Sequence, residues 1–94
     1  MPTQQAPEIS EFEEEKNDIG DSNKVVLFND DWHTFEEVIS QIIKATKCSF
    51  TEARDKTFEV QVKGKAVVFN GEMTDCLKVS AILEEILLHT QIET

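Results

Sequence analysis

Basic residues are scarce in this chain: nine Lys and Arg stand against nineteen Asp and Glu among 94 residues, a formal charge of −10. Nucleic acid binding needs cations that displace counterions from phosphate, so this balance argues against a polyanion partner and, for the same reason, against an anionic membrane surface. Glycine and proline are also few, three and two, which excludes collagen-like and low-complexity architectures. Cysteine occurs only at Cys48 and Cys76, without CxxC spacing. Small secreted domains usually carry more, so reduced thiols in a cytosolic protein are expected. No apolar run approaches the roughly 20 residues a membrane span needs. The N-terminus, MPTQQAPEISEFEEEKND, lacks the basic start and apolar centre of a secretory signal.

What is present is an ordinary globular mix, 39% apolar and 30% charged, in a length that suits one small domain. Residues 1–23 differ from the rest. They hold seven acids and one base, net −6, while 24–94 holds twelve acids and eight bases, net −4. Ile9, Phe12 and Ile19 are too sparse there to bury at any regular period, so this stretch reads as a disordered acidic arm.

From Lys24 the pattern becomes that of a packed domain. Lys24-Val25-Val26-Leu27-Phe28-Asn29 is a β-branched and aromatic run, the mark of a buried strand. Phe35, Val38, Ile39, Ile42 and Ile43 then recur at helical spacing, preceded by a capping box of Thr34 and Glu37. A second helix is expected from Thr51, carrying Ala53, Thr57 and Val60 on one side and ending at Gly64. Ala66–Phe69 reads as another strand, and Asn70-Gly71 turns it into a helix. A long third helix is expected on Cys76, Val79, Leu83 and Ile86, widened by Leu77, Ala81, Ile82 and Leu87. Gln91-Ile92-Glu93 adds a short last strand. Phe28, Phe58 and Phe69 are core candidates. The order is β-α-α-β-α-β, and layering the helices on one sheet face gives them a common core.

The chemistry gathers where the first strand passes into the first helix, at Asn29-Asp30-Asp31-Trp32-His33-Thr34. An amide and two carboxylates at a strand end offer acceptors to a cation. A primary ammonium donates three hydrogen bonds and carries the complementary charge. The apolar positions Phe35 and Val38 follow at once, so a ligand with an amine beside a bulky side chain fits, and the first residue of a peptide is such a ligand. The competing reading is an Asx-type turn in which Asn29 or Asp31 caps the backbone.

These residues resemble a known family. Lys24 to Trp32, followed by Phe35-Glu36-Glu37-Val38-Ile39, Glu52-Ala53 and Gly64-Lys65-Ala66, is similar to ClpS, the adaptor of the Clp protease, over about residues 24–83. The resemblance implies an α+β fold with a three-stranded antiparallel sheet packed against three helices. It implies a non-catalytic, cofactor-free, cytoplasmic and monomeric adaptor. Such an adaptor binds proteins whose N-terminal residue is Leu, Phe, Tyr or Trp and hands them to a ClpA- or ClpC-type AAA+ unfoldase. By the same resemblance, Asn29 and Asp30 grip the α-amino group with Asp31 beside them, and Gln61 stands where the family usually has a histidine that helps. His33, Phe35, Val38, Thr57 and Val60 line the side-chain pocket, Phe35 and Thr57 standing where the family favours Met. Trp32 and Lys78 face the unfoldase, and the acidic arm is the extension used in delivery.

Two other readings stay open beside this one. A ClpS-like domain that has lost degron reading would dock on the unfoldase and modulate its substrate choice. A metal enzyme would need Asp30, Asp31 and His33 to combine with His89 or Cys48, and no paired ligand spacing supports it; a small hydrolase would need Cys48 or Cys76 as nucleophile with His33 or His89 as base. Cys76 falls on an apolar helix stripe, where a thiol packs rather than reacts. Glu36-Glu37 and Glu84-Glu85 read as solvated faces.

Overall fold

The structure is a computed structural model, and it describes residues 23–94. The acidic arm therefore lies outside the described residues, apart from Asn23, which already belongs to the first strand. Six elements follow in the expected order: β1 (Asn23–Phe28), α1 (Phe35–Thr46), α2 (Phe50–Lys63), β2 (Lys65–Gly71), α3 (Met73–Glu84) and β3 (Thr90–Glu93). The sheet is antiparallel in the order β2-β1-β3. β1 occupies the centre, which explains why Val25, Val26 and Leu27 are all buried in succession. A register shift falls between Val25 and Val26, where Val68 of β2 is left without a partner, the signature of a bulge.

The helices lie together in one layer. α1 touches both α2 and α3, α2 packs on β2, and α3 packs on all three strands. Val25, Leu27, Ile39, Ile42, Ala53, Val60, Cys76, Val79 and Leu83 interlock between the layers. Gln41 is buried with them, and its amide donates to the Ile82 carbonyl at 2.6 Å, fastening α1 to the end of α3. Both cysteines are free and Cys76 is fully buried.

Helix ends follow local chemistry. The Thr34–Glu37 capping box forms, with Glu37 N–H donating to Thr34 Oγ1 at 3.1 Å and Thr34 N–H to Glu37 Oε1 at 2.8 Å. α2 begins earlier than Thr51, because Ser49 and Glu52 make a second capping box across Phe50 and Thr51. The helix stops at Gly64, which takes φ 88°, a left-handed conformation that glycine enters without a Cβ penalty.

Three expectations need correction. α3 ends at Glu84, so Ile86 and Leu87 are not part of it; Leu87 takes φ 67° in the turn that follows. Leu77 and Leu87 do not widen a buried stripe, being 54% and 73% exposed. Phe58, expected in the core, is 61% exposed on the outer side of α2. Leu77, Leu87 and Phe58 sit at plausible spacings yet face solvent, whereas Ile86 packs on the core from outside the helix, so spacing alone does not identify the inner face.

Candidate functional site

The turn between β1 and α1 is built by Asp30. Its Oδ1 accepts the backbone N–H groups of Trp32 (3.1 Å) and His33 (2.9 Å), an Asx-type cap that folds the loop back on itself. Its Oδ2 lies 2.6 Å from His33 Nδ1. The cap therefore exists, but Asp30 makes it rather than Asn29 or Asp31. Asn29 is fixed from outside the loop: its N–H donates to the Gly64 carbonyl at 2.9 Å, tying the loop to the end of α2.

These ties close a recess between the loop, α1, α2 and the turn after α3. Asn29, Asp30 and Gln61 border it, with Gln61 exposed at its edge. His33, Phe35, Val38, Thr57 and Val60 line its wall, the last two almost fully buried. Eight side chains singled out in the sequence thus converge on one small volume. Asp31 and Trp32 do not line it: both are exposed on the loop, Trp32 at 62%, with its ring stacked on the His33 ring at 4.0 Å. Lys78 lies apart on the exposed side of α3. Leu88 completes the apolar wall and was missed in the sequence. The apolar spacing of α3 runs on past its end, and the left-handed turn at Leu87 places Leu88 inward.

The recess is lined by polar and apolar residues together. Thr57 does not add a free hydroxyl to it, because Oγ1 donates to the Ala53 carbonyl at 2.7 Å and leaves its methyl to the pocket. The free volume is about 20 Å³, room for about one water molecule. Charge is concentrated at Asp30 and His33. Burial works against the Asp30 carboxylate, but the bonds from His33 and Trp32 outweigh it and hold its pKa below the ordinary 3.8. Burial likewise works against the His33 cation, and bonds to Asp30 and to the Ile86 carbonyl overcome it, raising the pKa above 6.5. Among the described residues, no three His, Cys, Asp or Glu side chains converge as a metal would require.

Residues 20–91 match the family of the ATP-dependent Clp protease adaptor protein ClpS. The chain belongs to the ClpS family. A ClpS relative from Agrobacterium tumefaciens, ClpS2 bound to L-phenylalaninamide, superposes with a TM-score of 0.72. That match covers 79% of this chain and 96% of the other at 21% identity, a likeness of fold. In Drosophila melanogaster, the E3 ubiquitin-protein ligase UBR1 is 34% identical over 59 residues, 63% of this chain. The chain spans 3% of that ligase, so the ClpS-like segment is a small part of a much larger protein. Within the ClpS fold, the recess occupies the junction of loop, α1 and α2 on which the resemblance had placed peptide recognition.

Proposed function

We propose that this ClpS-family chain is a non-catalytic adaptor that binds the free α-amino group and bulky hydrophobic side chain of N-terminal degrons. It would deliver those substrates to a ClpA- or ClpC-type unfoldase. The observation that carries the reading is the mixed lining of the recess, which brings the acceptors Asn29, Asp30 and Gln61 together with Phe35, Val38, Thr57, Val60 and Leu88. A peptide's first residue has matching halves. The ammonium donates to the amide and carboxylate oxygens, and the side chain enters the apolar part. The ClpS2 relative binds L-phenylalaninamide, a molecule with a free α-amine beside an aromatic side chain, which supports this assignment. Trp32 and Lys78, both exposed, are assigned to the unfoldase surface, and the acidic arm to delivery.

The expected affinity is modest. Burying one Leu or Phe side chain contributes about 1.5–3 kcal/mol, and two or three charge-assisted bonds about 1.5–3 kcal/mol each before association entropy is subtracted. Micromolar binding follows. The test is a titration with fluorescent ten-residue peptides beginning Leu, Phe, Tyr, Trp or Ala, each with free and acetylated N-termini. Binding confined to free-amine peptides with bulky first residues is the expected result.

One observation favours a second reading, a docking module that modulates the unfoldase without reading degrons: a recess of about 20 Å³ takes no Leu side chain unless a wall moves. Failure of every peptide to bind, with retained binding to the unfoldase N-terminal domain, would select it.

A further inference from the structure

His33 is held at both ring nitrogens. Its side chain is 4% exposed. Nδ1 lies 2.6 Å from the Asp30 carboxylate and Nε2 lies 2.5 Å from the Ile86 carbonyl. Neither partner can donate. A neutral imidazole has one donor and one acceptor, so either neutral tautomer sets a ring lone pair against an oxygen lone pair at hydrogen-bond distance. The imidazolium, with two donors, satisfies both contacts. The charged groups acting on it are Asp30 on its own loop and Glu37 in the first turn of α1. The side chains that α2 contributes to the recess, Thr57, Val60 and Gln61, are neutral, and the turn after α3 contributes the Ile86 carbonyl and Leu88. The other described histidine, His89, sets its ring edge-on to Phe28.

The same Asp30 carboxylate is the anion proposed above for the peptide ammonium. Its charge is already balanced by His33, and a docking ammonium brings a second cation to it. Two like charges sharing one site disfavour each other, so each lowers the affinity of the other. A neutral His33 can keep its Nδ1–H bond to Asp30 while losing the bond to Ile86. That bond is one of three ties on the turn carrying Leu88, beside Leu87 N–H to the Glu84 carbonyl and Phe28 N–H to the His89 carbonyl, and Leu88 is a wall of the recess that has too little room for a side chain.

We propose that His33 is a positioning residue that holds the recess closed as an imidazolium, and that the peptide α-ammonium and the His33 proton exclude one another at Asp30. Binding then expels one proton to solvent and loosens the Ile86–Leu88 turn, making room for the first side chain. This rests on the degron-reading assignment, and it adds a coupling that the assignment does not require.

The experiment is calorimetric titration of the full chain with a ten-residue peptide beginning Phe. It is run at pH 6.0, 6.5, 7.0 and 7.5, in two buffers at each pH that differ in their heat of protonation. The expected result is release of up to one proton, with affinity rising by as much as about tenfold per pH unit. The rise ends as the peptide's own amine deprotonates near pH 7.7–8.0. In His33→Gln, both the proton release and the pH slope disappear. Binding with no proton release in the natural chain overturns the coupling and leaves degron reading intact, whether or not the variant folds. Proton uptake also overturns it. No binding by this peptide or by the Leu, Tyr and Trp peptides at any pH overturns both.

Discussion

The backbone N–H of Asn29 rests 2.9 Å from the carbonyl of Gly64, so the loop that presents the acceptors is registered against the turn that ends α2. Gly64 can offer that carbonyl because it reverses the chain at φ 88°, and a Cβ there would meet nothing within 4 Å. An alanine at this position meets only conformational strain. Gly64→Ala is expected to destabilise the domain by about 1 kcal/mol, the left-handed penalty partly offset by a less flexible unfolded chain. Urea denaturation reads this as a lower midpoint with an unchanged slope. Equal stability would show that the turn does not depend on the left-handed conformation.

The His33–Asp30 pair gives stability a particular pH dependence. His33 has a raised pKa in the folded state, so its contribution is full below about pH 6.5, the unfolded value, and is lost as pH rises through the folded value. Asp30 has a lowered pKa; its contribution is present above about pH 4 and is lost as pH falls through its folded value. The pair contributes most between those limits. Thermal unfolding should therefore show the melting temperature declining from pH 6.5 to 8.5. His33→Gln should flatten that decline, and an unchanged slope would exclude His33 as its source.

How much of this was legible in the sequence depended on how local the cause was. α1 and its capping box needed only Thr34, Glu37 and an apolar period, all within twelve residues. Ser49 and Glu52 carried the same box pattern for α2, so that start was readable, though the helix was expected from Thr51. The end of α3 was not. Ile86 and Leu87 continue the apolar spacing, yet Glu85 is held from α1 by Lys44 at 2.8 Å and by Gln41 at 3.3 Å, contacts from more than forty residues away. The recess residues could be named because a resemblance supplied their grouping. The clamp on His33 could not, because its second acceptor lies 53 positions along the chain at Ile86.

Phe35 stands at the first position of α1, half-buried against the core, and is one of two phenylalanines, with Phe28, that line the recess. Relieving it should change which first residues fit. Phe35→Ala is expected to raise affinity for peptides beginning Trp relative to Leu by about tenfold, the effect of matching one or two methylene-sized volumes in an apolar pocket. Competition between the two peptides in fluorescence anisotropy measures the ratio. A ratio unchanged from the natural chain would place the limiting wall elsewhere, at Leu88 or Thr57.

Asp30 and Asp31 are adjacent and chemically alike, but their surroundings separate them. Asp30→Ala should abolish peptide binding. The structure predicts damage to the fold as well, because this substitution strips the loop cap from Trp32 and His33 and removes the carboxylate paired with His33, whose ring keeps only its contact with the Ile86 carbonyl. Losing a cap costs about 0.5–2 kcal/mol and losing a charge-assisted bond about 1.5–3 kcal/mol. Asp30→Asn keeps an oxygen to cap the two N–H groups and removes the charge. It should weaken peptide binding by about tenfold or more, the loss of one charge-assisted bond, with a smaller loss of stability. Asp31 is exposed and outside the recess, so Asp31→Asn should change stability by no more than about 0.5 kcal/mol and leave affinity within about twofold at 0.15 M salt, where exposed charges are screened. Paired anisotropy and melting measurements on the three variants decide between a site centred on Asp30 and one shared equally by both carboxylates. Equal losses in Asp30→Asn and Asp31→Asn would require the loop to rearrange on binding so that both side chains face the amine.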